Sequence, residues 1–121
     1  MDALLRGIEL FNNREFFLSH EVLEEVWRPE RGPRRLFLQA IIHVAVGFHH
    51  YQRGNRTGAS RQLAKALRKL DGYLPAFESV DTARLYCDAL AVLNQIGASA
   101  ALSVYPQIHP ASACGFKSTP P

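Results

Sequence analysis

The chain has 121 residues, of which 47% are apolar and 21% are charged, as in an ordinary globular protein. This length supports one domain with a hydrophobic core, but not two. The most apolar stretch, residues 36–48, is too short to cross a bilayer and is interrupted by Gln39 and His43, so no membrane contact is predicted. The N-terminus lacks the basic and then apolar layout of a secretion signal, which predicts a cytoplasmic protein.

Charge is distributed unevenly along the chain. Residues 1–27 carry two basic and six acidic side chains (−4), residues 28–69 carry ten and one (+9), and residues 70–121 carry two and four (−2), which together give the net charge of +3. A basic middle segment flanked by acidic ones either meets an anionic partner such as nucleic acid or is neutralised within the fold. The pattern favours neutralisation within the fold.

Five helices are predicted from apolar residues at helical spacing and from the Pro, Gly and Asn residues that interrupt them. Pro29 ends the second helix, Pro33 suits the first turn of the third, and Asn55 and Asp81 are suitable N-caps for the last two. The predicted helices cover about residues 2–12, 14–28, 33–53, 55–70 and 81–96.

The end of the chain has a different composition. Four prolines fall within residues 104–121, which predicts an extended or disordered tail behind a single helical domain at residues 1–103. Cys87 and Cys114 lack the spacing of metal ligands and are predicted to be free thiols. Helix five carries an apolar stripe that either closes the core or joins a homo-oligomer interface.

A faint internal repeat appears when the chain is shifted by forty residues. Ser19 then aligns with Ala59, and Leu23 aligns with Leu63. A small residue near the start of the second helix of a pair lets antiparallel helices approach closely, as in tetratricopeptide hairpins, although their usual period is 34 residues. We therefore predict an all-α fold, a compact bundle of about five helices built from tetratricopeptide-like antiparallel hairpins.

The second helix carries the most chemically suggestive residues. On a helical wheel, His20 and Glu24 lie beside Trp27 at the edge of the apolar stripe. Because they are four residues apart, their side chains are neighbours on one face. Such an imidazole and carboxylate can share a proton or ligate one metal ion.

The third helix is apolar nearly all round, but Gln39, His43 and His50 form one polar line along it, with His49 outside that line. Buried polar groups must be hydrogen-bonded or serve chemistry. We therefore expect this line to face His20 and Glu24 across the gap between helices two and three.

These residues define a candidate metal or small-ligand site. The candidate ligand-binding residues are His20, Glu24, Trp27, Gln39, His43 and His50, and the candidate metal ligands are His20, Glu24 and His43. Imidazole and carboxylate ligands suit Zn, Mn or Fe about equally. The spacing differs from the zincin motif, because Glu24 stands where the second histidine belongs. The sequence does not decide whether the protein is an enzyme.

Two alternatives remain open. In the first, the same polar residues form a buried network that holds the helices of an interaction or structural module in register. In the second, the basic segment 28–69 binds nucleic acid weakly. The charged face of helix four, formed by Arg61, Lys65, Arg68 and Lys69, is expected to be a solvated surface with local ion pairs.

Residues 11–27 and 38–46, followed by His50 and the run Arg53-Gly54-Asn55, resemble the family catalogued as domain of unknown function 309. His20, Glu24 and Trp27 meet the family pattern His-x-x-x-Glu-x-x-Trp or Tyr. The resemblance covers about residues 3–70 and implies a small all-helical protein for which metal binding has been suggested. His43 is a departure, since the family often has glutamine at that position.

Overall fold

A computed structural model describes residues 3–98, 101–102 and 104–111 of the chain. These residues form five α-helices, with a short 3-10 turn at Asp71–Tyr73 after the fourth. Two isolated β-bridges join Phe77 to Val80 and Val80 to Pro110. None of the described helices is both long and apolar enough to span a membrane. The helices are α1 (Ala3–Asn12), α2 (Phe16–Trp27), α3 (Pro33–Gln52), α4 (Arg56–Leu70) and α5 (Thr82–Gly97).

The predicted all-α bundle of five helices is confirmed, and so are two of its caps. The Asn55 side chain accepts a hydrogen bond from the backbone N–H of Gly58 at 2.8 Å, and Asp81 accepts one from Arg84 at 3.0 Å. The predicted start of helix two at Arg14 is wrong by two residues. Arg14 has φ +66°, a left-handed conformation that cannot continue a right-handed helix, so α2 begins at Phe16.

The first hairpin brings α1 and α2 into unusually close contact at Gly7. A Cβ atom at this position would lie 2.5 Å from Cδ2 of Leu23, which is fully buried. Beside this contact, the buried hydroxyl of Ser19 donates a hydrogen bond of 2.8 Å to the Gly7 carbonyl. Only glycine leaves room for the Leu23 side chain here.

The second hairpin repeats the same contact forty residues later. A Cβ atom on Gly47 of α3 would lie 3.2 Å from Leu63 of α4 and 3.4 Å from the Ala59 carbonyl. Gly47 and Leu63 therefore occupy the positions that Gly7 and Leu23 occupy in the first hairpin, and Ala59 occupies the position of Ser19. The repeat that the sequence suggests is present in the packing of the helices.

The turns of the two hairpins also correspond residue by residue. Arg14 and Gly54 both have positive φ, at +66° and +82°. The backbone N–H of Glu15 donates to the Leu10 carbonyl at 2.9 Å, and that of Asn55 donates to the His50 carbonyl at 2.8 Å. The α1–α2 and α3–α4 hairpins are thus two copies of one structural unit.

The α3 helix lies at the centre of the molecule, with α2 and α4 on either side of it. Its apolar residues supply much of the core, and α5 packs against α4. The fully buried residues of α3 are Phe37, Leu38, Ala40, Val44, Ala45 and Phe48. Because α3 is enclosed on two sides, its polar residues are divided between two different neighbours.

Residues 104–111 are extended and lie against the helices, so the packed core continues past residue 103. The Tyr105 ring contacts the rings of Phe16 and Phe48 at centroid distances of 5.2 and 5.5 Å. Ile108 is buried, and its backbone N–H and carbonyl both bond the side chain of Asn12, at 2.7 and 3.0 Å.

Cys87 is a free, exposed thiol, as predicted. Cys114 and the rest of the predicted tail beyond residue 111 lie outside the described residues.

The two hairpin glycines predict a graded response to alanine. We expect Gly7→Ala to lower the free energy of unfolding by about 2 kcal/mol, because the new methyl group would overlap buried Leu23. Gly47→Ala should change it by less than about 1 kcal/mol, because the milder overlap with Leu63 is offset by the better helix propensity of alanine. Urea denaturation of both variants measures the difference.

Gly97→Ala is the control, because a Cβ atom there meets nothing within 4 Å. It should leave stability unchanged or raise it slightly. Equal effects of Gly7→Ala and Gly97→Ala would contradict the close approach of α1 and α2.

Candidate functional site

The predicted pair on α2 is present. Nε2 of His20 lies 3.3 Å from Oε2 of Glu24, an ion pair when the imidazole is protonated. The two side chains are 22% and 34% exposed, so both remain accessible from solvent. The other carboxylate oxygen of Glu24 lies 3.5 Å from the Arg28 guanidinium, and Arg28 is mostly exposed.

A small cleft of about 180 Å³ opens beside this pair, between α2 and α3. It is lined by Phe17, His20, Val46 and His49. The Phe17 ring contacts the rings of both histidines, at centroid distances of 5.6 Å to His20 and 5.2 Å to His49. The cleft thus joins two imidazoles to apolar walls, and Phe17 itself is 47% exposed.

His49 is the residue that the sequence analysis missed. Burial lowers its pKa, and the nearby charges of Arg53, His50 and His20 lower it further, so the ring is held neutral at neutral pH. Residues 35, 39, 42, 46 and 49 follow one another at steps of three or four along one face of α3, but this spacing does not show which helix the face meets. This row, rather than the most polar line, borders α2.

His43 faces α4 instead of α2, so its expected place beside His20 and Glu24 is wrong. Its Nδ1–H donates to Oε1 of Gln62 at 2.7 Å, and its Nε2 accepts from Nζ of Lys69 at 3.0 Å. His43 and His49 are six residues apart, which places them about 120° apart around the helix. Because α3 has neighbours on both sides, that angle is enough to assign the two imidazoles to different helices.

The other two polar residues of α3 are also separated from one another. His50 lies at the turn into α4, where its Nδ1 is 3.5 Å from the Asn55 side chain and its carbonyl accepts from the Asn55 backbone. Gln39 is half-buried and belongs to the row that borders α2. The expected single line of Gln39, His43 and His50 facing α2 is therefore not formed.

Trp27 contributes to helix packing, away from the cleft. The Arg35 guanidinium lies over its indole ring at 4.0 Å from the centroid and donates to the carbonyls of Trp27 and Glu30 at 3.2 and 3.0 Å. The indole N–H is buried and has no hydrogen-bond partner among the described residues. The Trp27–Arg35 stack ties the end of α2 to the start of α3.

The predicted metal ligands do not fit a metal centre. Among the described residues, no three His, Cys, Asp or Glu side chains converge closely enough to hold an ion. His20 and Glu24 remain a two-residue set, while His43 is bonded to α4. Protein metal sites of the kind predicted use three or four side chains.

The second hairpin shows what the fold itself requires at these positions. Forty residues after His20, Glu24 and Trp27 stand Ser60, Ala64 and Leu67. The α4 helix packs on α3 through Leu63 without any imidazole or carboxylate at those places. The His20–Glu24 pair is therefore an addition to the common unit.

The duplicated helical hairpin and the His20–Glu24 pair on α2 together define a class of small helical protein. Residues 4–62, from α1 into α4, match the model of a family described as "Domain of unknown function (DUF309)".

The chain is also similar to "Uncharacterized protein YpuF" of Bacillus subtilis (strain 168), with 33% identity over 92 residues. The similar region covers 74% of this chain and 53% of YpuF, so the chain spans about half the length of that relative.

The setting of His43 predicts a pH dependence of stability. Burial lowers its pKa first, and Lys69, Lys65 and Arg68 lower it further, against the raising effect of the Gln62 bond. The unfolded chain therefore binds this proton more tightly than the folded protein does. The contribution of neutral His43 to the free energy of unfolding should be fully present above about pH 6.5. It should decrease as the pH falls from there toward the pKa of His43 in the folded protein.

An NMR titration of the His43 ring should give a midpoint below about 6.5. Glutamine at this position cannot titrate, so His43→Gln should reduce the decrease of unfolding free energy below about pH 6.5. A normal midpoint for His43, or an unchanged slope in the variant, would contradict this account.

Proposed function

We propose that the cleft between α2 and α3 binds a small organic ligand, a ring-sized molecule with one hydrogen-bonding group. The observation that carries the proposal is the accessible His20–Glu24 pair beside a cleft with a second imidazole, His49. Apolar walls with a few polar groups are typical of ligand sites, and about 180 Å³ is near the size of cavities that accept one aromatic ring.

The chemistry of the cleft supports a ligand with a hydrogen-bond donor. Because its pKa is lowered, His49 is neutral at neutral pH and offers an acceptor nitrogen. His20 and Glu24 together can hold a proton at the same edge. Phe17 and Val46 supply apolar contact to a ring, and the half-exposed Phe17 leaves the entrance open to solvent.

The internal repeat supports a functional rather than a structural role for the pair. The α4 helix forms an equivalent hairpin with Ser60 and Ala64 at the corresponding positions. The second hairpin therefore forms without an imidazole or a carboxylate at these positions. The imidazole and carboxylate occur only in the copy that borders the cleft.

The alternative is an interaction or structural module. It is favoured by the hydrogen bonds that already lock neighbouring helices together, Ser19 to Gly7 between α1 and α2 and His43 to Gln62 between α3 and α4. In that case His20 and Glu24 would be further locking residues. Their replacement would then cost stability and would not affect binding.

Phenol is a suitable probe, since it combines one ring with one hydroxyl. We expect saturable shifts of the His20 and His49 imidazole signals in NMR titrations, with a dissociation constant of about 1 mM or tighter. Zinc chloride provides a parallel titration for the metal hypothesis. The variant carrying His20→Ser and Glu24→Ala has the residues found at the equivalent positions of α4, Ser60 and Ala64, so it should remain folded. It should bind phenol at least about tenfold more weakly than the unaltered protein.

The matched control is Gln62→Ala, which alters the α3–α4 side and should leave phenol binding unchanged. Loss of stability in the α2 double variant, together with no saturable phenol shift in the unaltered protein, would support the module instead. Stoichiometric zinc binding that is lost with His20→Ser would replace the organic ligand by a metal.

A further inference from the structure

Four cations lie on one side of α4. Arg61, Lys65 and Lys69 follow one another at steps of four residues, and Arg68 lies between the last two. We call these four residues the basic face. Arg61, Lys65 and Arg68 are exposed, and Lys69 is half-buried against His43. At 1.5 Å per residue, the face spans about 12 Å along the helix.

The carboxylates that the structure describes do not form ion pairs with this face. Within the part of the chain that the structure describes, no ion pair joins any of the four cations to a carboxylate. The acidic partners lie elsewhere, for example Glu30 and Glu78, which both contact Arg34. The expectation of local ion pairs on this surface is therefore wrong.

The positive charges of the face also affect the pKa values at its half-buried edge. Burial lowers the pKa of Lys69, and the charges of Lys65 and Arg68 lower it further. The same cations lower the pKa of His43. Like charges four residues apart destabilise a helix slightly, so a cluster without carboxylates has a cost that an anionic partner would remove.

We propose that the basic face binds the phosphate backbone of a double-stranded nucleic acid, independently of base sequence. A duplex carries one negative charge for about every 1.7 Å of its axis, so several phosphates fall within reach of a 12 Å row of cations. The proposal uses a helix on the opposite side of α3 from the cleft, and it does not depend on the proposed ligand.

The composition of the face selects this partner over others. Exposed large apolar residues occur on other described parts of the chain, such as Leu5, Phe17 and Leu90, but none lies on α4. A protein interface or a membrane surface would call for apolar anchors among the cations. Single-stranded nucleic acids are held by stacking on aromatic rings, which α4 lacks. A duplex backbone needs only the charges.

The test is fluorescence anisotropy with a labelled 20-base-pair DNA duplex of arbitrary sequence. Four phosphate contacts predict an affinity that falls about 150-fold between 50 and 200 mM salt. The variant carrying Lys65→Gln and Arg68→Gln should retain two contacts, and its affinity should fall only about 10-fold over the same range. Its affinity at 50 mM salt should also be clearly weaker.

The matched control carries Arg6→Gln and Arg84→Gln on α1 and α5, which removes the same net charge from exposed side chains. It should keep the affinity and the salt dependence of the unaltered protein. Equal losses in both variants would show that only net charge matters and would overturn the proposal. No duplex binding at 50 mM salt, or binding of a single strand or poly-glutamate in preference to the duplex, would overturn it as well.

Discussion

The close approach of a glycine to a leucine is the contact on which the rest of this structure depends. In each hairpin, the missing side chain of Gly7 or Gly47 lets the following helix pack its leucine directly against the backbone. That spacing buries Leu23 and Leu63 completely and brings the second helix of each pair against its partner. Joining two such hairpins places α3 between α2 and α4, and this arrangement decides which polar residues can meet.

Comparison of the two hairpins distinguishes the residues that the fold requires from the residues that occur in only one copy. Close packing, a residue with positive φ at the turn and a buried leucine recur in both copies, so they belong to the hairpin itself. His20 and Glu24 occur in the first copy only, and the basic face occurs in the second only. The two hairpins therefore differ in their outer helices. The α2 helix of the first borders the small cleft, and the α4 helix of the second carries the solvent-exposed basic face.

Much of this fold could be predicted from the sequence, because helical periodicity, Pro29 and the Asn55 and Asp81 caps are local signals. The His20–Glu24 pair was predictable for the same reason, since both residues lie on one helix. The partners across helices were not predictable, because a wheel gives the angle between His43 and His49 but not which neighbour each angle faces.

The double-mutant cycle of Gly7→Ala and Leu23→Ala tests the central claim most directly. If the two residues meet as described, Leu23→Ala removes the atoms that the new methyl group would overlap. Gly7→Ala should then be nearly neutral in that background, with a coupling free energy of about 1–2 kcal/mol. Additive effects of the two substitutions would contradict the close contact between Gly7 and Leu23. They would also contradict the description of the α1–α2 and α3–α4 hairpins as two copies of one structural unit.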